Sequence, residues 1–163
     1  MADFSVPAVP PSEPPAMLGD FQGRVHIFPL RVYIEDTDAG GVVYYANYLR
    51  YAERARTEMV RRLGHRHSDL VSGGTTGVAM ALAVRRCETE YIAPAVLDDV
   101  LQVETLLTGV SGATVSCHQA VVRRAVPIVT IRTTLACIRL DNLRPTRLPT
   151  GLRDALKEFL NAA

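Results

Sequence analysis

Hydrophobic and polar residues alternate along most of the second half of the chain, which is the pattern of half-buried β-strands. Four stretches rich in valine, threonine and isoleucine show it, at residues 78–91, 99–108, 114–124 and 127–140. The breaks between them are short, and short connections favour antiparallel neighbours because a parallel crossover needs about a dozen residues or more. An earlier stretch, residues 25–36, also alternates, and Pro29 at its change of parity predicts an edge strand with an irregularity there.

Between the first strand and the other four, the hydrophobic period becomes that of an amphipathic helix. Over residues 44–63, apolar side chains recur every three or four positions, at Tyr48, Ala52, Ala55, Met59 and Leu63. Gly64 follows where a helix commonly ends, and a short second helix is predicted to begin near Pro149 or Thr150. This order of elements predicts an α+β fold in which an antiparallel sheet curls around the long helix.

The N-terminal segment differs from the rest of the chain in composition. Residues 1–23 contain five of the ten prolines, which predicts a disordered or extended tail. The remaining residues, 24–163, are enough for one domain, and a hydrophobic content of 48% is ample for a single core.

Charge and cysteine usage narrow the function classes. A formal net charge of +1 gives no global field that would attract nucleic acid or an anionic membrane. No apolar run approaches the roughly 20 residues of a membrane helix, and no signal peptide is visible, so we predict a cytoplasmic protein without a membrane span. Three cysteines, without a CxxC pair, predict reduced core thiols: Cys87, Cys117 and Cys137.

Candidate metal ligands do not form a recognisable set. His65 and His67 are two residues apart just after the long helix, but no acid or thiol nearby completes a site, so we interpret them as surface histidines near the helix end. We therefore predict neither a metal nor another cofactor.

The segment EDTDAGGVVYYANY, residues 35–48, concentrates carboxylates and glycines where the first strand gives way to the helix. Asp36 and Asp38 continue the alternation of the strand, so both are predicted to point toward the interior if the chain stays extended that far. A calcium-binding loop is disfavoured because its twelfth position would be Asn47 instead of a bidentate acid. A magnesium or manganese site would need further ligands.

Two other interpretations of this segment are open. Both aspartates are placed to accept hydrogen bonds from the free N–H groups of the following helix. Alternatively, the glycine pair Gly40-Gly41 allows the backbone to approach a ligand, and N–H groups near Tyr44 and Tyr45 would face a developing negative charge. The second arrangement is what hydrolysis of an acyl group requires.

Two long motifs resemble one enzyme family. The segments RVYIEDTDAGGVVYYANYLRYAERARTEMVRRLG and VRRCETEYIAPAVLDDVLQVET are similar to hotdog-fold acyl-CoA thioesterases of the 4-hydroxybenzoyl-CoA thioesterase type, in particular the Tol-Pal-associated (YbgC-type) branch. The resemblance covers roughly residues 24–160. It implies a five-stranded antiparallel sheet wrapped around one long central helix, and a homodimer or homotetramer assembled through paired sheets.

The resemblance also implies site residues. Asp38 matches the catalytic aspartate of the family, and Tyr45 matches the residue whose backbone N–H polarises the thioester carbonyl. The aspartate acts either as a nucleophile, through a mixed anhydride, or as a general base toward water, and both roles are open. The predicted substrate-binding positions around them are Gly40, Gly41, Val42 and Tyr44.

Three features depart from the family or compete with this assignment. Relatives often have histidine where Tyr45 stands, and the turn TGVSGA, residues 108–113, has no basic side chain for the CoA phosphates. Arg123 and Arg124 are therefore the predicted phosphate contacts. Glu53 lies where another thioesterase subgroup places its catalytic acid, although a polar or interface contact is the simpler interpretation.

The sequence thus predicts a hydrolase of acyl-CoA, or of acyl carrier protein thioesters. The branch implies Tol-Pal or phospholipid-synthesis proteins as partners. A hotdog dehydratase would need a histidine in the active loop, and none of the four histidines lies there. A scaffold protein of the cell envelope with little activity is the rival of a different class, supported by the turn without basic residues.

Overall fold

The structure, a computed structural model, describes residues 19–162. Within that range, six strands form one antiparallel sheet in the order β1-β2-β4-β5-β6-β3. The strands are β1 Asp20–Gln22, β2 Val25–Arg31, β3 Met80–Tyr91, β4 Val100–Val110, β5 Thr114–Arg123 and β6 Val126–Arg139. The helices are α1 Asn47–Arg62, α2 His67–Val71 and α3 Thr150–Asn161, with single 3-10 turns at Ile34–Asp36 and Gly74–Thr76.

The α+β class and the five long antiparallel strands around one long helix are confirmed. The sheet also has a sixth member that we did not predict, the three-residue strand β1, which pairs with β2. Because β1 lies within residues 1–23, the folded domain begins before the predicted boundary at residue 24. The rest of the predicted tail, residues 1–18, lies outside the described residues.

The prediction for the first long strand was wrong about an irregularity and was confirmed about the edge only in part. β2 pairs with β4 over its whole length without a register shift, so Pro29 causes no irregularity there. β1 pairs with residues 25–27 of β2, so among the described residues β2 is an edge only over residues 28–31, which include Pro29. Pro29 lies beyond the end of β1, where its missing N–H leaves no hydrogen bond of that strand pair unmade.

Helix α1 packs its apolar stripe on the concave face of the sheet. The predicted stripe is confirmed, and its fully or nearly buried members are Tyr48, Ala52, Ala55 and Met59. The two alanines let the helix approach the strands closely. Toward its C-terminal end, α1 shares a second cluster of buried residues with α3, including Leu152, Leu156 and Phe159. Helix α1 is thereby held at both ends.

The cysteine prediction holds for two of the three residues. Cys117 and Cys137 are buried free thiols, whereas Cys87 is exposed on β3. The core prediction was therefore wrong for Cys87, because β3 is the last strand of the sheet and no described strand covers its outer side. No helix within residues 19–162 is long and apolar enough to cross a membrane.

Candidate active site

The residues between the first 3-10 turn and α1 close on themselves through backbone hydrogen bonds. Tyr44 N–H donates to the carbonyl oxygen of Asp36 at 2.9 Å, and Asp38 N–H donates to that of Val42 at 2.9 Å. Gly41 N–H donates to Asp38 at 3.0 Å, with the φ of Gly41 at 77°. We call residues 36–44 the acidic loop. Its closure brings the aspartates near the start of α1.

The two aspartates of the acidic loop have different environments. Asp36 is buried, and its Oδ2 accepts a hydrogen bond from Tyr33 N–H at 2.8 Å. Burial and the neighbouring Asp36 carboxylate raise the pKa of Tyr51 on α1. Asp38 is exposed, and its Oδ1 accepts a hydrogen bond from Gly40 N–H at 2.8 Å. The prediction that both side chains point inward is thus confirmed for Asp36 and wrong for Asp38, because the 3-10 turn ends the alternation of the strand.

Neither aspartate caps α1. The residue before the helix is Ala46, and no side chain hydrogen-bonds the helix start there. The carboxylates instead accept N–H groups of the 3-10 turn and of the acidic loop, so the helix-capping interpretation was wrong. Across residues 19–162, no group of three or more histidine, cysteine or acidic side chains has the arrangement of a metal site.

The start of α1 leaves a backbone donor open. Helix α1 begins at Asn47, so Tyr45 lies just before the helix. The prediction that Tyr45 lies in the first turn of the helix was therefore wrong. Within the described chain, Tyr45 N–H donates no hydrogen bond, while its carbonyl oxygen accepts one from the Tyr91 hydroxyl at 3.2 Å. An N–H at this position can donate to a ligand.

Aromatic rings surround that donor. The Tyr45 ring lies 4.7 Å from the Tyr44 ring and 6.3 Å from the Tyr91 ring, measured between centroids. A pocket of about 290 Å³ lies among Tyr45, Tyr48, Tyr91 and their neighbours. Burial raises the pKa of Tyr48 and of Tyr91, so these phenols stay neutral at physiological pH. The pocket therefore has apolar walls with neutral hydroxyl groups.

The glycines of the acidic loop have separate roles. A Cβ at Gly40 would lie 3.1 Å from the Asp38 Oδ1 atom, closer than most such contacts, so a side chain there would press on the carboxylate. Gly41 has no such neighbour, but its positive φ disfavours any other residue. The two glycines therefore allow the tight turn at Asp38 without a side chain that would press on its carboxylate.

The segment 92–99 connects the acidic loop with Arg123, one of the two predicted phosphate contacts. Val42 pairs with Val96 in the segment 92–99, and Val96 N–H donates to Asp99 Oδ2 at 2.9 Å. The same oxygen lies 2.6 Å from Arg123 Nη1. Desolvation alone would raise the pKa of Asp99, but the hydrogen bonds from Val96 and Arg123 outweigh it and lower that pKa. Arg123 is therefore engaged in an ion pair, whereas Arg124 is exposed in the turn between β5 and β6.

Comparison with known proteins identifies the family. The family model described as Thioesterase-like superfamily matches residues 32–156. The chain belongs to this superfamily. It is 39% identical over 128 residues to "Acyl-CoA thioesterase YbgC" of Haemophilus influenzae, covering 78% of this chain and 91% of that protein. It is 36% identical over 132 residues to "Acyl-CoA thioester hydrolase YbgC" of Escherichia coli, covering 80% and 95%.

A solved structure agrees with the fold. The probable thioesterase from Bartonella henselae superposes with a TM-score of 0.73 at 34% identity, covering 77% of this chain and 99% of that one. The sheet around α1 is therefore the hotdog fold that the sequence predicted.

Two other predicted polar residues lie away from the acidic loop of this thioesterase-like chain. Glu53 is exposed on α1 and accepts a hydrogen bond from the Thr57 hydroxyl at 2.8 Å. It follows Asn47, the first residue of α1, by six residues, which is about 9 Å along the helix axis. His67 is half-buried and lines a cavity under α1, so it is less exposed than the surface histidine that we predicted. Burial lowers the pKa of His67.

Sequence reasoning missed Tyr91. It is the last residue of β3, and its contacts with Tyr45 and Tyr48 join positions more than forty residues apart in the sequence. No local pattern marks such a contact. Its only signal was an aromatic residue at the end of a predicted strand.

Proposed function

We propose that the protein hydrolyses acyl-CoA thioesters to a free acid and CoA, with Asp38 as nucleophile or general base and Tyr45 N–H polarising the thioester carbonyl. The observations that carry the proposal are the exposed Asp38 carboxylate in the acidic loop and the open backbone donor of Tyr45, the residue that follows the loop. The similarity to acyl-CoA thioesterases over most of the chain supports it.

The geometry of Asp38 suits either chemical role. As a nucleophile, one carboxylate oxygen attacks the thioester carbon, the thiolate of CoA leaves and takes up a proton, and water then hydrolyses the mixed anhydride. As a general base, the carboxylate takes a proton from the water molecule that attacks the same carbon. Oδ1 accepts one hydrogen bond from Gly40, and the carboxylate is otherwise open to solvent.

The second element is the donor at the start of α1. In both routes, negative charge develops on the carbonyl oxygen, and a preorganised N–H stabilises that charge more than it stabilises the neutral carbonyl. The Tyr45 carbonyl is held by the Tyr91 hydroxyl, which fixes the peptide near the donor. This arrangement needs only a backbone N–H, so a tyrosine in place of histidine does not remove it.

The substrate-binding residues remain those that the motif predicts. Gly40, Gly41, Val42 and Tyr44 are kept as the proposed substrate-binding residues because they lie between Asp38 and Tyr45 in the sequence. Arg124 is a better candidate for the phosphate contact than Arg123, whose charge is matched by Asp99. Acyl carrier protein as carrier, a cytoplasmic location and association with Tol-Pal or phospholipid-synthesis proteins remain predictions from the family resemblance.

The edge of the sheet supports a homo-oligomer. β3 is 12 residues long, pairs with β6 on one side, and has no strand of the described chain on the other. Its exposed residues include Val84 and Tyr91. Long exposed edges are commonly closed by pairing, and a two-fold axis at β3 would join two sheets into one. Such a homodimer, alone or as half of a homotetramer, would place the Tyr45–Tyr91 contact near the interface.

Light scattering coupled to size exclusion at micromolar concentration is expected to give at least twice the chain mass of 17.8 kDa. The reason is the open backbone of β3, which a monomer would leave unpaired. A tenfold dilution series serves as the control for nonspecific association. A monomer with full activity would contradict the interface.

The function is tested by measuring CoA release from acetyl-, butyryl-, palmitoyl- and benzoyl-CoA, and from the matching acyl carrier protein thioesters. We expect turnover of at least one acyl-CoA well above its rate in buffer. The absence of turnover with every substrate, for protein of native mass and helix content, would refute the hydrolase and favour the scaffold. The turn without basic residues at 108–113 is the observation that favours that alternative.

A further inference from the structure

The acidic loop is a small hairpin whose two arms are held from different sides. The arm that leads out of it is fixed by the segment 92–99, because Val43 N–H donates to the carbonyl oxygen of Ala95 at 2.9 Å. The arm that leads into it begins at Asp36, at the end of the 3-10 turn, and contains Asp38. The contacts of this first arm therefore fix the position of the Asp38 carboxylate.

The side chain of Asn47, the first residue of α1, holds this first arm. Its Nδ2 donates to the carbonyl oxygen of Asp36 at 2.9 Å, and the residue is only 5% exposed. The same carbonyl oxygen accepts Tyr44 N–H at 2.9 Å, which is the hydrogen bond that closes the hairpin. One carbonyl oxygen thus receives one donor from the loop and one from the helix, and the helix donor is the Asn47 amide.

The backbone of Asn47 supports the open donor of Tyr45. Asn47 N–H donates to the carbonyl oxygen of Tyr44 at 2.8 Å, which closes a β-turn with Tyr45 and Ala46 as its central residues. The closing hydrogen bond of such a turn joins its first and fourth residues, so it does not use the N–H of a central residue. Asn47 therefore supports the donor with its backbone and the arm of Asp38 with its side chain.

The Asn47 amide does not serve the start of the helix itself. An asparagine near a helix start commonly acts as the N-cap, where its side-chain oxygen accepts an N–H of the first turn. Here the residue before the helix is Ala46, and no side chain hydrogen-bonds the helix start. The Asn47 amide instead donates to a residue eleven positions earlier in the chain. Because asparagine is also a weak helix former, its contact with the loop explains this residue better than the helix does.

We propose that Asn47 is a positioning residue: by holding Asp36 against the start of α1, it sets the position of the Asp38 carboxylate relative to the Tyr45 N–H. This inference rests on the proposed function, because it gives Asn47 a part in the same hydrolysis. Asn47 acts through the loop and does not touch the reacting atoms. The carbon and oxygen of a thioester carbonyl are one bond apart, so carboxylate and donor must meet them together. A displacement of about 1 Å between the two can cost about 10²-fold in rate.

Two substitutions, Asn47→Leu and Asn47→Asp, remove the side-chain donor with little change in size. Each should lower kcat for acyl-CoA hydrolysis by about 10- to 100-fold, because carboxylate and donor lose their alignment. KM should stay within about threefold of wild type, because the lost interaction acts chiefly in the transition state. Asn47→Asp keeps the shape of the wild-type side chain, so overpacking cannot account for its loss of activity.

Leu152→Ala is the matched control for destabilisation. Leu152 is 0% exposed and belongs to the cluster that α3 shares with the C-terminal end of α1, so the cavity lowers stability away from the acidic loop. Its kcat should stay within about twofold of wild type at a temperature where all variants are folded, because the two sites are distant.

Hydrogen exchange, followed by NMR on protein labelled with ¹⁵N-tyrosine, tests the contact without relying on hydrolysis. Tyr44 N–H, which donates to Asp36, should exchange at least about tenfold faster relative to Tyr51 N–H inside α1 in both Asn47 variants, and Leu152→Ala should leave this ratio unchanged. If the wild type cleaves no thioester but the ratio responds in this way, the proposed function fails and the hold of Asn47 on the loop stands. An unchanged ratio, a near wild-type kcat in either Asn47 variant, a loss confined to KM, or an equal loss of kcat in Leu152→Ala overturns the inference.

Discussion

Replacing Asp38 with asparagine is expected to lower kcat for acyl-CoA hydrolysis by roughly 10²- to 10⁴-fold, the range typical of a lost general base or nucleophile. The carbonyl oxygen of an asparagine can still accept the hydrogen bond from Gly40 N–H, which Asp38 Oδ1 accepts at 2.8 Å. The acidic loop should therefore keep its shape. The substitution removes the negative charge and the basic oxygen while changing little else.

The matched control is Glu35→Gln, which removes one exposed carboxylate from the same segment. Its side chain forms no part of the acidic loop, so kcat should stay within about twofold of wild type and stability within about 0.5 kcal/mol. Asp38→Ala should be as inactive as Asp38→Asn. Near wild-type turnover in purified Asp38→Asn protein would contradict the role of Asp38, whichever of the two chemical routes applies.

Sequence periodicity was enough to predict an antiparallel sheet curled around one long helix, and the resemblance of the two motifs identified that arrangement as a hotdog fold. The stripe of α1 has a strict helical spacing, and four strands have a clear alternation, so burial of these faces determines the elements. β1 was missed because three residues are too few to show a period. Its position depends on tertiary contacts, such as the packing of Phe21 on Phe159 of α3 at 4.7 Å between ring centroids.

The sequence predicted which residues form the candidate site better than it predicted how their side chains are oriented. The motif gave Asp38 and Tyr45, but the orientation of Asp38 depends on the 3-10 turn at Ile34–Asp36, which the alternation of the strand did not reveal. A local signal existed, because the Asp36 carboxylate reaches back to Tyr33 N–H as an acid does in a capping box. The ion pair between Arg123 and Asp99 joins residues 24 positions apart and had no such signal.

A buried polar residue on β5 couples α1 to the sheet. Gln119 is 0% exposed, and its Nε2 donates to the carbonyl oxygen of Ala52 on α1 and to Thr105 Oγ1 on β4, both at 2.9 Å. Its Oε1 accepts from Arg56 at 2.7 Å. One buried side chain therefore connects the helix with two strands and satisfies its own donors and acceptor in doing so.

Gln119→Leu is expected to lower the free energy of unfolding by about 2–4 kcal/mol, because the buried Thr105 hydroxyl and the half-buried Arg56 guanidinium lose their partner. Urea titrations at equal protomer concentration measure this as a lower midpoint at an unchanged slope. Gln102→Leu is the matched control, since Gln102 is exposed on β4, and it should change stability by less than about 0.5 kcal/mol.

Adding Thr105→Val to Gln119→Leu removes the orphaned hydroxyl as well, so the double variant should be more stable than the sum of the single effects predicts. If Gln119→Leu is as stable as the control, or if the two substitutions are additive, the network does not hold α1 on the sheet. If the network does hold it, the position of the Tyr45 N–H at the start of α1 depends on Gln119, and kcat of the Gln119→Leu variant should fall even at temperatures where the protein remains folded.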